Sequence, residues 1–262
     1  MRRKFTLFIL FGFILALGWM VRADVKAWIA PLPEAVFTST DKRIKPDTRS
    51  QSYTAPVDTF AVHRFKFLGH TRRWHSYVPE NIKQPTQAVI LLHGSGRNGA
   101  SMIDMWQEAA ETHGLVLIAP DSREEAGWSS IKDGAWFLGN LLVEVATTLN
   151  VTPETWFLFG HSAGAVHALT LVEGDTPNFT AVALHAGGPA PDRIKAALKP
   201  TPFRIYIGDN DPLFPVPYIS HAATRLAEVG YPTELVTLQD HGHWFYDAGP
   251  KIALDAADWF LQ

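Results

Sequence analysis

Thr155-Trp156-Phe157-Leu158-Phe159-Gly160-His161-Ser162-Ala163-Gly164 decides how the rest of this chain is read. Its first five residues form an apolar, β-branched and aromatic run, the composition of a buried strand. From Ala163 to Glu173 the chain holds good helix formers, with Val166, Leu169, Thr170 and Val172 spaced for one face. The pattern G-x-S-x-G therefore sits on a strand-to-helix turn, where a serine hydroxyl is presented on a strained backbone. Glycines at both flanks suit that geometry, because bulkier residues would clash in so tight a turn.

A serine hydroxyl becomes a nucleophile when a base takes its proton and an acid orients the base. One common arrangement has the chain order Ser, then Asp or Glu, then His. After Ser162, Pro202 to Ile207 reads as an apolar strand that opens into Gly208-Asp209-Asn210-Asp211-Pro212. Asp209 and Asp211 are both candidates for the acid, since functional loops collect at the C-terminal ends of parallel strands. Thr233 to Leu238 is a further short strand, followed by Gln239-Asp240-His241-Gly242-His243-Trp244. The base is expected from His241 or His243, on the loop before the last helix.

Negative charge that develops on a substrate oxygen needs donors aimed at it. Ala88 to Leu92 is a continuous apolar strand that runs into His93-Gly94-Ser95-Gly96. A Gly-rich loop there exposes backbone N–H groups. The expected donors are the amides of Ser95 and of Ala163, just after the serine.

With these residues in order, the chain resembles an α/β-hydrolase from roughly Phe60 to Gln262. Gly208 to Pro215 is similar to the G-x-x-D-x-x-V-P loop of many esterases, which implies Asp211 as the acid. Gly242-His243 is similar to the family's Gly-His pair, which implies His243 as the base. Within the fold, the H-G-S-G loop, Ala119-Pro120-Asp121, the nearby tryptophan and the G-H-x-x-aromatic ending resemble polyhydroxybutyrate depolymerase-like, feruloyl esterase-like and dienelactone hydrolase-like proteins. The resemblance implies cleavage of small-molecule or polymeric carboxylic esters through a Ser162–Asp211–His243 triad and an acyl-enzyme, with no cofactor. A peptidase, amidase or acyltransferase of this fold is an alternative, as is a non-catalytic binding protein.

Composition bounds the other classes. The 262 residues, 47% hydrophobic and 19% charged, suit one large α/β domain. Arg2, Arg3, Lys4 and Arg22 precede the first acid at Asp24, so the rest of the chain carries seven more acids than bases. That balance gives no reason to expect nucleic acid as a partner. Cysteine is absent, which excludes disulfides, a thiol nucleophile and an N-terminal lipidated cysteine. His241 and His243 are a close pair, but a metal site needs three or four ligands, so no metal is expected.

Residues 1–23 join a basic start to 17 uncharged residues, 5–21. This reads as a signal peptide for export to the periplasm or outside, or as an N-terminal membrane anchor. Residues 24–59, rich in Pro, Thr, Ser and Lys/Arg without a sustained period, read as a linker or irregular arm, and 60–262 as the hydrolase domain. Alternating residues over 60–67 and 72–78 predict a hairpin. Strands at 88–92, 115–119, 155–159, 180–185, 203–207 and 233–238 alternate with helices near 101–113, 137–149, 163–173, 192–198, 217–229 and 249–261. Such alternation predicts a mostly parallel sheet with helices on both faces. Only 16 residues, Ala186 to Thr201, separate two of these strands, too few for a cap domain. Residues 122–136 could give a smaller cover. Trp128 and Trp244 are expected to line a substrate pocket, with Trp136 a weaker candidate.

Overall fold

Apolar runs without alternation suit strands covered on both faces, and they form the middle of the sheet. The computed structural model describes residues 35–45, 53–56, 60–174 and 177–262. The segment expected to serve as signal or anchor, 1–23, lies outside them.

The described chain runs β1 (Phe37–Lys42), β2 (Ala61–Phe67), β3 (His70–Tyr77), β4 (Gln87–Leu92), α1 (Gly99–His113), β5 (Val116–Pro120), α2 (Ala135–Leu149) and β6 (Thr155–His161). It continues through α3 (Ala163–Glu173), β7 (Phe179–His185), a 3₁₀ turn at Pro191–Arg193, β8 (Phe203–Gly208), α4 (Val216–Glu228), β9 (Thr233–Leu238) and α5 (Gly249–Phe260). The strands form one sheet in the order β1-β9-β8-β7-β6-β4-β5-β3-β2. β3 pairs antiparallel with β2 and β5, and the other pairings are parallel. Leu68 and Gly69 close the hairpin, both at positive φ as a two-residue turn between twisted strands requires.

Successive strand residues point to opposite faces, and the core divides accordingly. Ala88, Ile90 and Leu92 pack with α2, α3 and α4, whereas Val89 and Leu91 pack with α1 and α5. After β4 the chain turns through α1 to β5, then crosses back through α2 to β6 on the other side of β4. Loops that leave β4 and β6 therefore diverge and open a crevice at their C-terminal ends.

Two segments differ from the sequence reading. Phe37–Lys42, expected in the irregular arm, is a strand parallel to β9, with Thr233 N–H donating to Val36 O at 3.0 Å and Gln239 N–H to Lys42 O at 2.9 Å. All six of its side chains are exposed, so it carries no apolar period to read. The helix expected near 192–198 is only the 3₁₀ turn. There Ala197 N–H donates to Val229 O at 2.8 Å instead of closing a helical turn. Ile194 and Ala197 are buried in the core as single anchors.

Candidate active site

Ser162 stands between β6 and α3 at φ 52°, ψ −115°, a conformation that costs a non-glycine residue on the order of 1–3 kcal/mol. The surrounding packing over-determines it. A Cβ on Gly160 would lie 2.7 Å from the backbone of Gly164, and one on Gly164 would lie 2.3 Å from Leu92 O. Ser162 N–H donates to His185 O at 2.9 Å, and Val166 N–H to Ser162 O at 3.0 Å. The turn is thus clamped between β4, β7 and its own helix.

From Ser162 a chain of hydrogen bonds crosses the strand ends. Ser162 Oγ is 2.9 Å from His243 Nε2, and His243 Nδ1 is 2.9 Å from Asp211 Oδ2. A carboxylate can only accept, so the proton of a neutral His243 sits on Nδ1 and the lone pair of Nε2 faces the serine hydroxyl. Asp211 is buried, and its Oδ1 accepts from Leu213 N–H at 2.8 Å and Phe214 N–H at 2.9 Å. The alternatives lie outside this chain. Asp209 is exposed and accepts from Asn210 and from His241 N–H, while the His241 ring is buried against His185.

The Gly-rich loop after β4 reaches the same point. Ser95 and Ala163 line one open cavity with Ser162, and among the described residues neither amide has an acceptor. Ala163 opens α3, where backbone N–H groups lack intrahelical partners and carry partial positive charge. A Cβ on Gly94 would come within 3.2 Å of Ser162 Cβ, so a side chain there would press on the serine.

His93 has a role that no sequence signal marked. Its Nε2 accepts from Ser122 N–H at 3.0 Å, which leaves Nδ1–H to donate to Gly94 O at 2.8 Å. Burial also pulls its pKa below the ordinary value, so the neutral ring joins the Gly94 loop to the 122–134 loop. Further bonds reinforce that join: Ser95 Oγ–H to Ala126 O at 2.7 Å and Gly96 N–H to Glu125 O at 2.9 Å. The 122–134 loop is itself held by buried Asp133. Its Oδ1 accepts from Arg72 Nη2 at 2.6 Å and from Arg123 N–H at 2.9 Å, and its Oδ2 from Ser129 N–H at 2.9 Å.

The cavity has a volume of about 970 Å³. Trp128 forms part of one wall, stacked on His167 at 5.6 Å with its Nε1–H on His93 O at 2.8 Å. Phe214, unmarked in the sequence, forms part of another wall and stacks on His243 at 5.8 Å. Trp244 corrects the sequence reading. Its ring packs on Tyr246 at 5.1 Å with Arg97 over its face, and it does not line this cavity. His243 uses the side of the loop that faces Ser162, and its neighbour turns away. Trp136 is exposed, packs on Phe67 and is likewise outside the cavity.

No family model and no curated protein sequence matches the chain. Solved structures do. A thermostable esterase superposes with a TM-score of 0.61 at 19% identity, over 78% of this chain and 63% of its own, so the chain spans less than two thirds of that protein. An S-formylglutathione hydrolase from Agrobacterium tumefaciens superposes with a TM-score of 0.61 at 16% identity, over 79% of this chain and 97% of its own. A dienelactone hydrolase from Anabaena variabilis reaches 0.58 at 19% identity, over 77% and 96%. Poly(3-hydroxybutyrate) depolymerase LpqC from Bordetella parapertussis reaches 0.55 at 19%, over 77% and 90%. With the strand order, the elbow at Ser162 and these neighbours in view, the chain has the α/β-hydrolase fold.

Proposed function

We propose that the chain is a serine hydrolase of carboxylic esters, with Ser162, His243 and Asp211 as its triad and the amides of Ser95 and Ala163 as its oxyanion donors. The observation that carries this reading is the continuous Ser162–His243–Asp211 hydrogen-bond chain beside two amides that have no acceptor among the described residues. Ester hydrolases among the structural neighbours support the reaction class.

In this reading Ser162 Oγ attacks the ester carbonyl carbon as its proton passes to His243 Nε2. Asp211 keeps the ring in the required tautomer and stabilises its charged form. The carbonyl oxygen becomes an oxyanion held by the two amides, each worth on the order of 10²–10³ in rate. As the carbon–oxygen bond breaks, His243 gives its proton to the departing alcohol. Water, deprotonated by His243, then attacks the acyl-enzyme carbonyl; the bond to Ser162 Oγ breaks, His243 returns the proton to that oxygen, and the acid leaves.

An open cavity, with no cap domain over it among the described residues, fits small-molecule or polymeric esters. The test is hydrolysis of p-nitrophenyl acetate by the full chain beside Ser162→Ala. Turnover should fall by several orders of magnitude in the variant. Equal rates in two folded proteins would refute the reading. The basic start and the apolar run at 5–21 support export or anchoring in a membrane, which the N-terminus and membrane partition of the mature protein would decide.

A further inference from the structure

Beside the Ser162–His243–Asp211 chain runs a second chain of side chains, so far without a role. His161 Nδ1 is 3.0 Å from His185 Nδ1, and His185 Nε2 is 2.9 Å from His241 Nε2. All three rings are buried. They sit at the ends of β6 and β7 and on the loop after β9, so they cross the sheet where the candidate site crosses it. Each end is joined to that site through the backbone. His161 precedes Ser162, and His241 stands two residues before His243. The His161 ring also lies 5.4 Å from that of His243 and stacks on Phe245 at 5.1 Å.

We propose that His161, His185 and His241 are positioning residues that act as one unit, three neutral imidazoles in a single tautomeric register that hold the His243 loop against the strand carrying Ser162. Its catalytic consequence rests on the esterase reading above; its hydrogen-bond chemistry does not.

A neutral imidazole has one N–H and one lone pair. His185 places both ring nitrogens on other imidazoles, so it must donate to one neighbour and accept from the other. If its Nδ1–H donates to His161, then His241 donates Nε2–H to it, and reversing one bond reverses both. His161 and His241 therefore share a tautomer, and His185 has the opposite one. Any other assignment sets two N–H groups or two lone pairs face to face in a buried place, where a broken link is costly.

Neutrality is supported by the surroundings. Burial holds the pKa of His161 at about 3 and that of His185 well below the ordinary value, and it lowers that of His241. His243, His241 and His93 oppose protonation of His161 and the His185 carbonyl favours it, while at His241 the carboxylates Asp247, Asp211 and Asp209 favour protonation and His243 opposes it; at both rings burial outweighs what favours the charge. The result is a rigid bridge whose span is set by two imidazole–imidazole bonds.

The test uses the full chain with ¹⁵N-labelled histidine. Long-range ¹H–¹⁵N correlation at pH 7 reports the tautomer of each ring, with single substitutions to assign the signals. His161 and His241 should share one tautomer, His185 should have the other, and all three should be neutral. A protonated ring, or His185 in its neighbours' tautomer, overturns the proposal whatever the activity. His185→Leu then removes the bridge, with Val145→Ala, a core truncation on α2, as the control. Turnover of p-nitrophenyl acetate should fall about 10²-fold in His185→Leu with KM changed less than about 2-fold, the signature of misplacement. His185→Gln, which keeps one donor and one acceptor, should recover part of the loss, and Val145→Ala should keep the wild-type kcat. A loss in His185→Leu no larger than in Val145→Ala overturns the positioning role. If His185→Leu does not fold, His185→Gln against Val145→Ala decides the same point. A folded wild type inactive on esters refutes the esterase reading instead. The tautomer result then still stands, and the His243 ring N–H signal in wild type against His185→Gln decides positioning, since an unmoved signal overturns it.

Discussion

Asp133→Ala should both destabilise the protein and loosen the loop that carries Ser95. Asp133 and Arg72 are buried to within a few per cent, and the carboxylate accepts from the Arg72 guanidinium and from two loop amides. Burial already pulls the pKa of Arg72 below its ordinary value in spite of the Asp133 charge. Removing one partner of such a pair costs about 3–5 kcal/mol, because the other charge stays buried and unpaired. Arg72 keeps two carbonyl acceptors, Lys132 O and Asp121 O, both at 3.0 Å. Arg123 and Ser129 are partly exposed, so their freed amides can turn to water. Both points place the loss at the low end, about 3 kcal/mol, or about 6–12 °C in Tm for a domain of this size. The loop also carries Trp128 and the Ala126 carbonyl that holds Ser95, so kcat should fall by roughly 10-fold or more as a proposed oxyanion donor shifts. Differential scanning calorimetry and p-nitrophenyl acetate kinetics, with Asp133→Asn as an intermediate case, measure both effects. A Tm within about 2 °C of wild type with unchanged kcat would refute the reasoning, since buried-pair losses are far larger.

The remaining predictions concern the strand ends. Gly164→Ala places a Cβ 2.3 Å from Leu92 O, a backbone atom that cannot swing aside, and should cost on the order of 3 kcal/mol; an unshifted urea midpoint would sink this account. Asp211→Asn should leave the fold intact and lower kcat on the order of 10⁴-fold, because the amide favours the wrong His243 tautomer; a loss below 10-fold, also order-of-magnitude, would remove Asp211 from the proposed triad. Stability should fall on acidification. An unfolded His161 takes up its proton near pH 6.5, whereas the folded ring does so only near pH 3, so the unfolded chain binds more protons between these values. The contribution is present above pH 6.5 and declines by about 1.4 kcal/mol per pH unit below it for this ring, with His185 and His241 adding in the same direction. Urea midpoints at pH 7 and pH 5 measure it, and equal midpoints would contradict it.

The strands and helices around the site were legible because their signals are local. Apolar runs, a 3.6 period and Gly, Asp, Asn or Pro at strand ends stand next to one another in the chain. The order Ser162, Asp211, His243 could be read in the same way, and the structure brings these three into one hydrogen-bond chain. Where local signals were absent, the reading stopped. β1 exposes every side chain and owes its strand to β9, 196 residues further on at Phe37–Thr233. Within the 192–198 segment expected as a helix, Ala197 gives its backbone N–H to Val229 O instead of to a helical turn. Trp244 carries no mark of which side of its loop it faces.

By itself, then, the sequence determined the α/β alternation and the glycine turns, and it named the residues proposed here as nucleophile, acid and base, since each of these signals depends on neighbours along the chain. Only the tertiary structure decided which residues hold that set in place. Arg72 finds Asp133 across 61 positions, His93 binds Ser122 across 29, and His185 bridges His161 and His241 across 24 and 56. These contacts arise where sheet order brings strand ends together, and a buried polar group takes its partner from whatever that order places within reach.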